Sequence, residues 1–430
     1  MKKKIHSPKI FFGWWIVFVV GMVSGLGHGF YLYAISVFFK DLAAELHLSR
    51  AVTSVAAGIG RLEGGITSPL VGWLADRHGP KWVIFIGVCV AGFGFILMNF
   101  INSMWTYFVV WGLVVGVGLN IGLTVAVDKA LNDWFVNKRG LAQGIKFSLI
   151  GVGGMLLLPI VTWLVASQGW RITCLLWGFI MLASAPILLM VVKQKRPEHY
   201  GLLPDGAKFE SDEGEDTENM MDRGVRYAIS FQETEFTFKQ AIKTRAYWIL
   251  GITFGVQMMI SGGLVIHVIP FLTDMGIPQT TAGNMMGMMV FFTVLSRFFS
   301  GLISDRLDKD HMQFLLAGIF LLQSIGITIF LVSRNTISVY IFLALFGFSS
   351  GASTLLFIIT QGRFFGRKAF GSIFGSSMAI RAPASLIAPV FSGWVYDTTG
   401  SYMGAFILFA IFSTLAAFFI CWARPPRLYQ

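Results

Sequence analysis

The sequence has little charge and little cysteine. Only 13% of its 430 residues are Asp, Glu, Lys or Arg, which is about half the share of a soluble domain. Hydrophobic residues make up 55%, and the mean hydropathy is +0.70. A water-soluble chain of this length could not bury so much apolar side chain. The composition therefore excludes a soluble enzyme, a nucleic-acid-binding protein and a disordered protein.

The sequence also lacks the common signatures of cofactor and metal chemistry. Its cysteines, Cys89, Cys174 and Cys421, lie in apolar runs, at spacings that suit neither a disulfide framework nor a metal site. We find no phosphate-binding loop and no spacing typical of a nucleophile with its base. The sequence predicts no cofactor, no bound metal, no ATP-driven pump and no enzymatic activity.

Long apolar runs dominate what is present. A helix needs about 20 apolar residues to cross a hydrocarbon core of ~30 Å. The basic start of the chain has no small-residue cleavage site after it, so we interpret the first run as a membrane span rather than a signal peptide. We predict an all-α polytopic membrane protein with 12 transmembrane helices, at 11–37, 51–75, 82–102, 106–130, 140–166, 171–192, 246–273, 281–304, 312–332, 337–361, 369–395 and 401–422.

The distribution of Lys and Arg predicts the orientation of these spans. The segments at one end of the helices, which include both termini and the central segment, hold 24 Lys and Arg residues, and the loops at the other end hold four. We therefore expect both termini and the central segment to be cytoplasmic in a multi-pass protein of the plasma (inner) membrane. The net charge of +11 then reflects topology rather than nucleic-acid binding.

The chain contains an internal repeat. The segment Gly72–Arg77 after span 2 is matched by Gly301–Arg306 after span 8, at an offset of 229 residues, and Trp134-Phe135 is matched by Phe364-Phe365 at 230. A repeat that covers six helices predicts two pseudo-symmetric halves with a site between them, as in major facilitator transporters. The predicted units are 1–192, a cytoplasmic linker at 193–245, and 246–430.

The linker carries 11 of the 22 acidic residues, and many of these lie between 210 and 222. A stretch so rich in charge is typical of a solvated flexible linker, which is the interpretation we favour. A regulatory or partner-binding segment is the alternative.

Several motifs resemble those of the major facilitator superfamily. The loop Gly72–Lys81 is similar to its signature after span 2. The resemblance implies that Asp76 caps a neighbouring helix and that Arg77 pairs across the cytoplasmic face, latching the outward-open state. The repeat places Asp305 and Arg306 in the same gating positions of the second half.

Other segments resemble the monocarboxylate porter branch, which includes the oxalate:formate antiporters. They are Gly13–Val17, Ile35–Asp41 and Trp134–Gly144. The resemblance implies that the arginine in span 8, Arg297, binds a substrate carboxylate. It also implies that Arg381 in span 11 binds a second carboxylate, since oxalate transporters carry a lysine there.

The depth of these two arginines supports the same role. Arg297 lies about 12 Å from the Asp305 end of its span, and Arg381 about 18 Å from the start of its span, so both fall near the middle of the bilayer. A charge in lipid costs at least ~2.5–3.5 kcal/mol unless it pairs, faces water or binds a ligand. A guanidinium group fits a carboxylate with two hydrogen bonds. Structural arginines bonded to backbone carbonyls are the alternative.

The residues that would couple transport to protons depart from the pattern of the animal branch members. Thr293 stands where those members carry an aspartate, and Tyr33 aligns with their lysine of span 1. Glu63, about 18 Å into span 2, is our candidate substitute, with a static ion pair as the alternative. Asp128 and Lys146 lie at similar depths, and we favour a structural salt bridge between them over a coupling site.

Uncharged and histidine side chains complete the candidate binding site. Tyr33 and Asn120 could supply hydroxyl and amide contacts, and His267 in span 7 could donate to substrate or sense protons. We interpret His28, which lies among glycines, as part of close helix packing.

These observations and the resemblance predict a secondary active transporter of small organic anions that works by alternating access. Proton-coupled transport of a monocarboxylate such as lactate or pyruvate is the favoured form. Exchange of a dicarboxylate such as oxalate is the alternative, and a non-transporting membrane sensor is a remote one. The expected partners are the carboxylate, a proton or counter-anion and the lipid bilayer, with no nucleic acid.

Overall fold

The computed structural model describes residues 10–31, 35–47, 50–207, 219–231, 233–333 and 335–427. It confirms an all-helical fold. The longer helices, in chain order, are α1 (Phe12–Gly29), α2 (Ile35–Glu45), α3 (Arg50–His78), α4 (Pro80–Leu97), α5 (Met104–Trp134), α6 (Arg139–Val191), α7 (Met220–Ser230), α8 (Arg245–Asp274), α9 (Gln279–Arg306), α10 (Met312–Ser333), α11 (Thr336–Phe365), α12 (Phe370–Thr399) and α13 (Met403–Ile420).

Ten helices of the described chain are long and apolar enough to cross a membrane. The other two predicted spans also correspond to helices of the structure. The helix α6 contains two of the spans, because the chain turns at Gly169. The φ of this residue is +81°, a value that glycine adopts readily and that strains other residues. The helix α3 takes the place of the predicted second span.

The outer surface of the bundle matches a lipid environment. Large apolar side chains on α6, α10 and α13 are exposed, among them Trp163, Met190, Val332 and Phe418. Exposed apolar surface on this scale marks contact with a membrane or a partner rather than with water. Gly and Ser line many buried helix faces, as expected where helices approach closely in lipid.

The helix contacts place α3 against α12 and the first arm of α6 against α9. Each pair joins a helix from the first six spans to one from the last six. Within each group, α1 packs on α6, and α9 packs on α11. The interface between the two groups of spans is therefore built mainly by two helix pairs.

The central segment is more ordered than the sequence predicts. Residues 193–207, 219–231 and 233–244 pack at one end of the bundle, which we call the linker face, against the loops that follow α5 and α11. Glu198, Asp205 and Glu233 are 4–7% exposed there. The expectation of a solvated flexible linker is wrong for these residues, because their carboxylates find partners in distant loops. The acidic run 210–216 lies outside the described residues.

Candidate functional site

A cavity of about 600 Å³ lies between the two groups of helices. Its wall is formed by α1, α3, α5, α6, α8, α9, α11 and α12. The described wall holds three cations, Lys146, Arg297 and Arg381, against one carboxylate, Asp128. Such an excess of positive charge in a largely apolar cavity attracts anions.

Asp128 on α5 and Lys146 on α6 form an ion pair in this wall. The Lys146 Nζ lies 2.5 Å from Asp128 Oδ1, and the two side chains are only 2% and 1% exposed. The predicted salt bridge therefore forms. Removing one member of such a pair leaves the other as a buried, uncompensated charge, so the two groups are linked in any change of protonation.

Arg381 on α12 sits in an aromatic box. Its guanidinium carbon lies 4.7 Å and 4.6 Å from the ring centroids of Phe254 and Phe357, and 5.6 Å from that of Phe374. Its Nε donates to the Ser377 carbonyl oxygen at 3.2 Å, and its buried Nη2 has no hydrogen-bond partner within the described part of the chain. The protein therefore occupies the ring faces and the Nε of this guanidinium but leaves its Nη2 without a described partner, in a residue that lines the cavity.

Arg297 on α9 lines the same cavity and lies beside Phe147 of α6. The distance from its guanidinium carbon to the centroid of that ring is 5.1 Å, and Lys146 Nζ lies 3.9 Å from the same centroid. Cations held near an aromatic ring gain a modest attraction from its electron-rich face. The predicted pair of arginines therefore borders one cavity.

Asn120 connects the cavity to Glu63. Its Nδ2 donates to Thr67 Oγ1 at 2.8 Å, and that hydroxyl donates to Glu63 Oε1 at 2.5 Å. Glu63 is 6% exposed and lies behind the wall rather than on it. Asn120 also lies between two π-helical segments of α5, Phe108–Val115 and Ile121–Val125, and such segments occur often at functional sites.

One predicted ligand is placed differently. His267 lies off the wall: its Nε2 is 3.0 Å from the Pro389 carbonyl oxygen, and its ring packs on Tyr402. The cavity face of α8 carries Met258, Ser261 and Val265, and a residue two positions further along a helix points away from that face. Tyr33 lies outside the described residues.

The histidine that does line the cavity is His28. The glycines around it in sequence favour helix packing, an interpretation that predicts neither its place on the wall nor that of Tyr31, which lies on the same wall. Their spacing of three residues places both side chains on one face of a helix, which is the signal that could have found them.

The predicted gating acids cap helices across the interface. Asp76 accepts hydrogen bonds from the backbone N–H groups of Gly371 and Ser372, at 3.0 Å and 2.7 Å, in the first turn of α12. Asp305 accepts from Gly140 and Leu141, at 2.7 Å and 2.8 Å, in the first turn of α6. A carboxylate at a helix N-terminus satisfies free N–H groups and complements the helix dipole.

The gating arginines are placed on the surface. Arg77 is exposed, and its guanidinium carbon lies 5.2 Å from the ring centroid of Trp73 on the preceding turn. Arg306 is exposed as well. The cations beside the two capping acids are instead Lys129, 3.6 Å from Asp76, and Arg363, 3.6 Å from Asp305.

Glycines let the capped helices touch. A Cβ on Gly72 would overlap the carbonyl group of Gly371, whereas a Cβ on Gly318, on the exposed face of α10, would meet nothing within 4 Å. We expect Gly72→Ala to lower the melting temperature of the purified protein. The control Gly318→Ala should raise it slightly, since alanine in a helix is favoured over glycine by about 0.5–1 kcal/mol. Equal shifts in the two variants would contradict the tight α3–α12 contact.

Comparison with known proteins identifies the family. The model of the Major Facilitator Superfamily matches residues 13–385, and the chain belongs to this superfamily of membrane transporters. The chain is 23% identical to monocarboxylate transporter 13 of Rattus norvegicus over 98% of its own length and 93% of the relative's, and 25% identical to monocarboxylate transporter 4 of the same species over 94% and 81%. It is 22% identical to the MFS-type transporter YcxA of Bacillus subtilis over 94% and 93%.

Solved structures agree on the fold. The transporter FucP in its outward conformation aligns with a TM-score of 0.67 and 13% identity, over 95% of this chain and 98% of that one. The human organic anion transporter MFSD10 aligns with a TM-score of 0.65 and 12% identity, over 94% and 98%. The predicted fold and the predicted branch are both confirmed by these comparisons.

Proposed function

We propose that this transporter moves small organic anions, with a monocarboxylate as substrate and a proton as the coupled ion. The observation that carries the proposal is Arg381, which lines the cavity, whose faces and Nε are occupied by protein, and whose buried Nη2 has no hydrogen-bond partner among the described residues. A planar guanidinium edge binds a carboxylate with parallel hydrogen bonds. Relatives named as monocarboxylate transporters support the same substrate class.

The coupling site in this proposal is Asp128. It lines the cavity and holds Lys146, so a substrate carboxylate that attracts the ammonium group would release Asp128 to take up a proton. Glu63, which reaches the cavity through Thr67 and Asn120, is the second candidate. Glu63→Gln then leaves proton-driven uptake intact if Asp128 is the carrier.

The gradient that drives uptake distinguishes the two candidate functions, proton symport and anion exchange. In proteoliposomes, a proton symporter accumulates radiolabelled lactate or pyruvate when the outside is made acidic, without any anion inside. An exchanger accumulates label only when a carboxylate is loaded inside. We expect the first result, with uptake that rises with the size of the pH gradient and collapses when a protonophore is added. Uptake that ignores the gradient and requires internal oxalate would establish exchange instead.

The dicarboxylate alternative is favoured by one feature, the presence of both Arg297 and Arg381 at the same cavity. Stabilisation by ligands tests it. If the first carboxylate binds Arg297, as this alternative requires, carboxylates should raise the melting temperature of the wild type but not of Arg297→Ala. If both arginines bind one substrate, Arg381→Ala should weaken binding of two-carboxylate ligands more than that of single-carboxylate ligands.

The working cycle in this proposal is alternating access. The units 1–192 and 246–430 would rock against each other about the cavity, joined by 193–245 and with Asp76 and Asp305 as gate residues. The linker face would be cytoplasmic in the plasma (inner) membrane, as the distribution of Lys and Arg indicates.

A further inference from the structure

The central segment forms a crossed set of ion pairs at the linker face. Glu198 Oε1 lies 2.7 Å from Arg367 Nη1, in the loop between α11 and α12. Glu233 Oε1 lies 2.8 Å from Arg139 Nη2, at the start of α6, and 3.5 Å from Arg367 Nε. All four side chains are 1–3% exposed. Burying four charged groups this deeply carries a large desolvation free energy, which only their mutual pairing can offset.

Two parts of the central segment, 193–207 and 233–244, are anchored to opposite groups of helices. The first part is held by Asp205, whose carboxylate accepts from the backbone N–H groups of Val136, Asn137 and Lys138 at 2.8–3.3 Å, in the loop that follows α5. Asp205 itself has a left-handed φ of +61°, and Tyr227 donates a further hydrogen bond to it at 3.0 Å. The backbone strain at Asp205 is thus offset by a set of hydrogen bonds.

The second part is held on the last six spans. The N–H group of Phe236 donates to the Phe365 carbonyl oxygen at 3.0 Å, and the two aromatic rings meet edge to face at 5.7 Å. Each anchored part therefore sends its glutamate across the interface. Glu198, on the part fixed to the first six spans, binds Arg367 of the last six, and Glu233, on the part fixed to the last six, binds Arg139 of the first six.

The two arginines also reach across directly. Arg139 Nη1 donates to the Gly362 carbonyl oxygen at 3.0 Å, and Arg367 Nη1 donates to that of Asp133 at 3.3 Å. Arg139 and Arg367 are 228 residues apart, close to the offset of the internal repeat. Although burial alone lowers the pKa of Arg367, the carboxylates of Glu233 and Glu198 hold it above the ordinary value, so this guanidinium stays charged.

We propose that Glu198 and Glu233 act as a clasp, with which the central segment holds the two groups of helices together at the linker face. The clasp rests on the proposed alternating access, because its bonds exist only while the linker face is closed. When the two groups of helices separate there, both arginines and both glutamates become hydrated, and water replaces their ion pairs. The central segment then sets the balance between the two access states rather than serving as a passive tether.

The sign of a substitution follows from this geometry. Glu233→Gln leaves Arg139 and Arg367 with one carboxylate fewer in the closed state, whereas in the open state both guanidinium groups are hydrated. The substitution therefore destabilises the closed linker face relative to the open one. The matched control is Glu235→Gln in the same segment. Glu235 pairs with Arg196 at 2.7 Å and so also joins the two parts, but its side chain is about a third exposed, and an exposed ion pair contributes little to stability.

Alkylation of a buried thiol measures the opening directly. Ser304 is fully buried where α9 meets the first turn of α6, and its hydroxyl lies beside Gly140. We place Ser304→Cys in a background in which Cys89, Cys174 and Cys421 are replaced by Ala, and follow its reaction with a small maleimide in nanodiscs, where both faces are accessible. We expect Glu233→Gln to raise the rate about tenfold, and Glu235→Gln to leave it unchanged.

Several outcomes would overturn the clasp. Equal rates in the parent and in Glu233→Gln would do so, as would an equal rise in Glu235→Gln. If Glu233→Gln elutes as aggregate in size-exclusion chromatography, Asp205→Asn takes its place, because asparagine tolerates a left-handed φ and the change only weakens the anchor. A rate unchanged in that variant would also overturn the clasp. None of these results depends on a carboxylate substrate, so a failure of the proposed transport function remains a separate result, read from proteoliposome uptake.

Discussion

Replacement of Arg381 by Met should abolish stabilisation of the protein by carboxylates without lowering the stability of the unliganded protein. The guanidinium is buried among Phe254, Phe357 and Phe374, where a thioether packs well. Replacing a buried charge by an apolar group of similar volume is often neutral or stabilising. The loss of binding should be large, since truncating a buried hydrogen-bonded charge costs about 2–5 kcal/mol. That corresponds to about 30-fold to several thousand-fold in Kd.

The measurement is a thermal shift of the purified protein over a titration of lactate, pyruvate and oxalate. Arg381→Lys serves as the control, because it keeps the positive charge and loses the planar edge. We expect it to retain part of the affinity. If Arg381→Met bound carboxylates as the wild type does, the residue would be a structural member of the aromatic box, and Arg297 alone would carry the anion.

The spans could be predicted because a bilayer imposes length and composition on every helix that crosses it. The capping role of Asp76 was accessible from its motif, and its counterpart Asp305 from the repeat. The ion pair of Asp128 and Lys146 followed from their similar depths on adjacent spans. Each of these features is encoded locally or by a regular offset along the chain.

Other features depend on contacts between distant parts of the chain, which cannot be recognised in a single sequence. The aromatic box of Arg381 is assembled from α8, α11 and α12, and the three phenylalanines look like ordinary lipid-facing residues in sequence. The burial of Glu198 depends on Arg367, which lies 169 positions further along the chain. His267 was misplaced because the rotation of a helix that is apolar on all sides is set by its neighbours, not by its own pattern.

Replacement of Asp128 by Asn should abolish proton-driven accumulation while exchange of labelled for unlabelled carboxylate continues. The amide cannot take up the proton, yet Lys146, Arg297 and Arg381 still line the cavity and still attract the anion. The readouts are uptake driven by a pH gradient and counterflow at equal pH on both sides, in the same proteoliposomes. Loss of both activities, or retention of both, would contradict a coupling role for Asp128.

The same variant should be less stable, because Lys146 would remain buried without its carboxylate. Removing one partner of a buried ion pair costs about 3–5 kcal/mol, whereas replacing both by apolar residues of similar volume is often close to neutral. The double variant Asp128→Leu/Lys146→Met should therefore recover most of the melting temperature that Asp128→Asn loses, but none of the proton-driven uptake. Recovery of stability without recovery of coupling separates the two contributions of this ion pair, because packing can be restored by apolar side chains and proton exchange cannot.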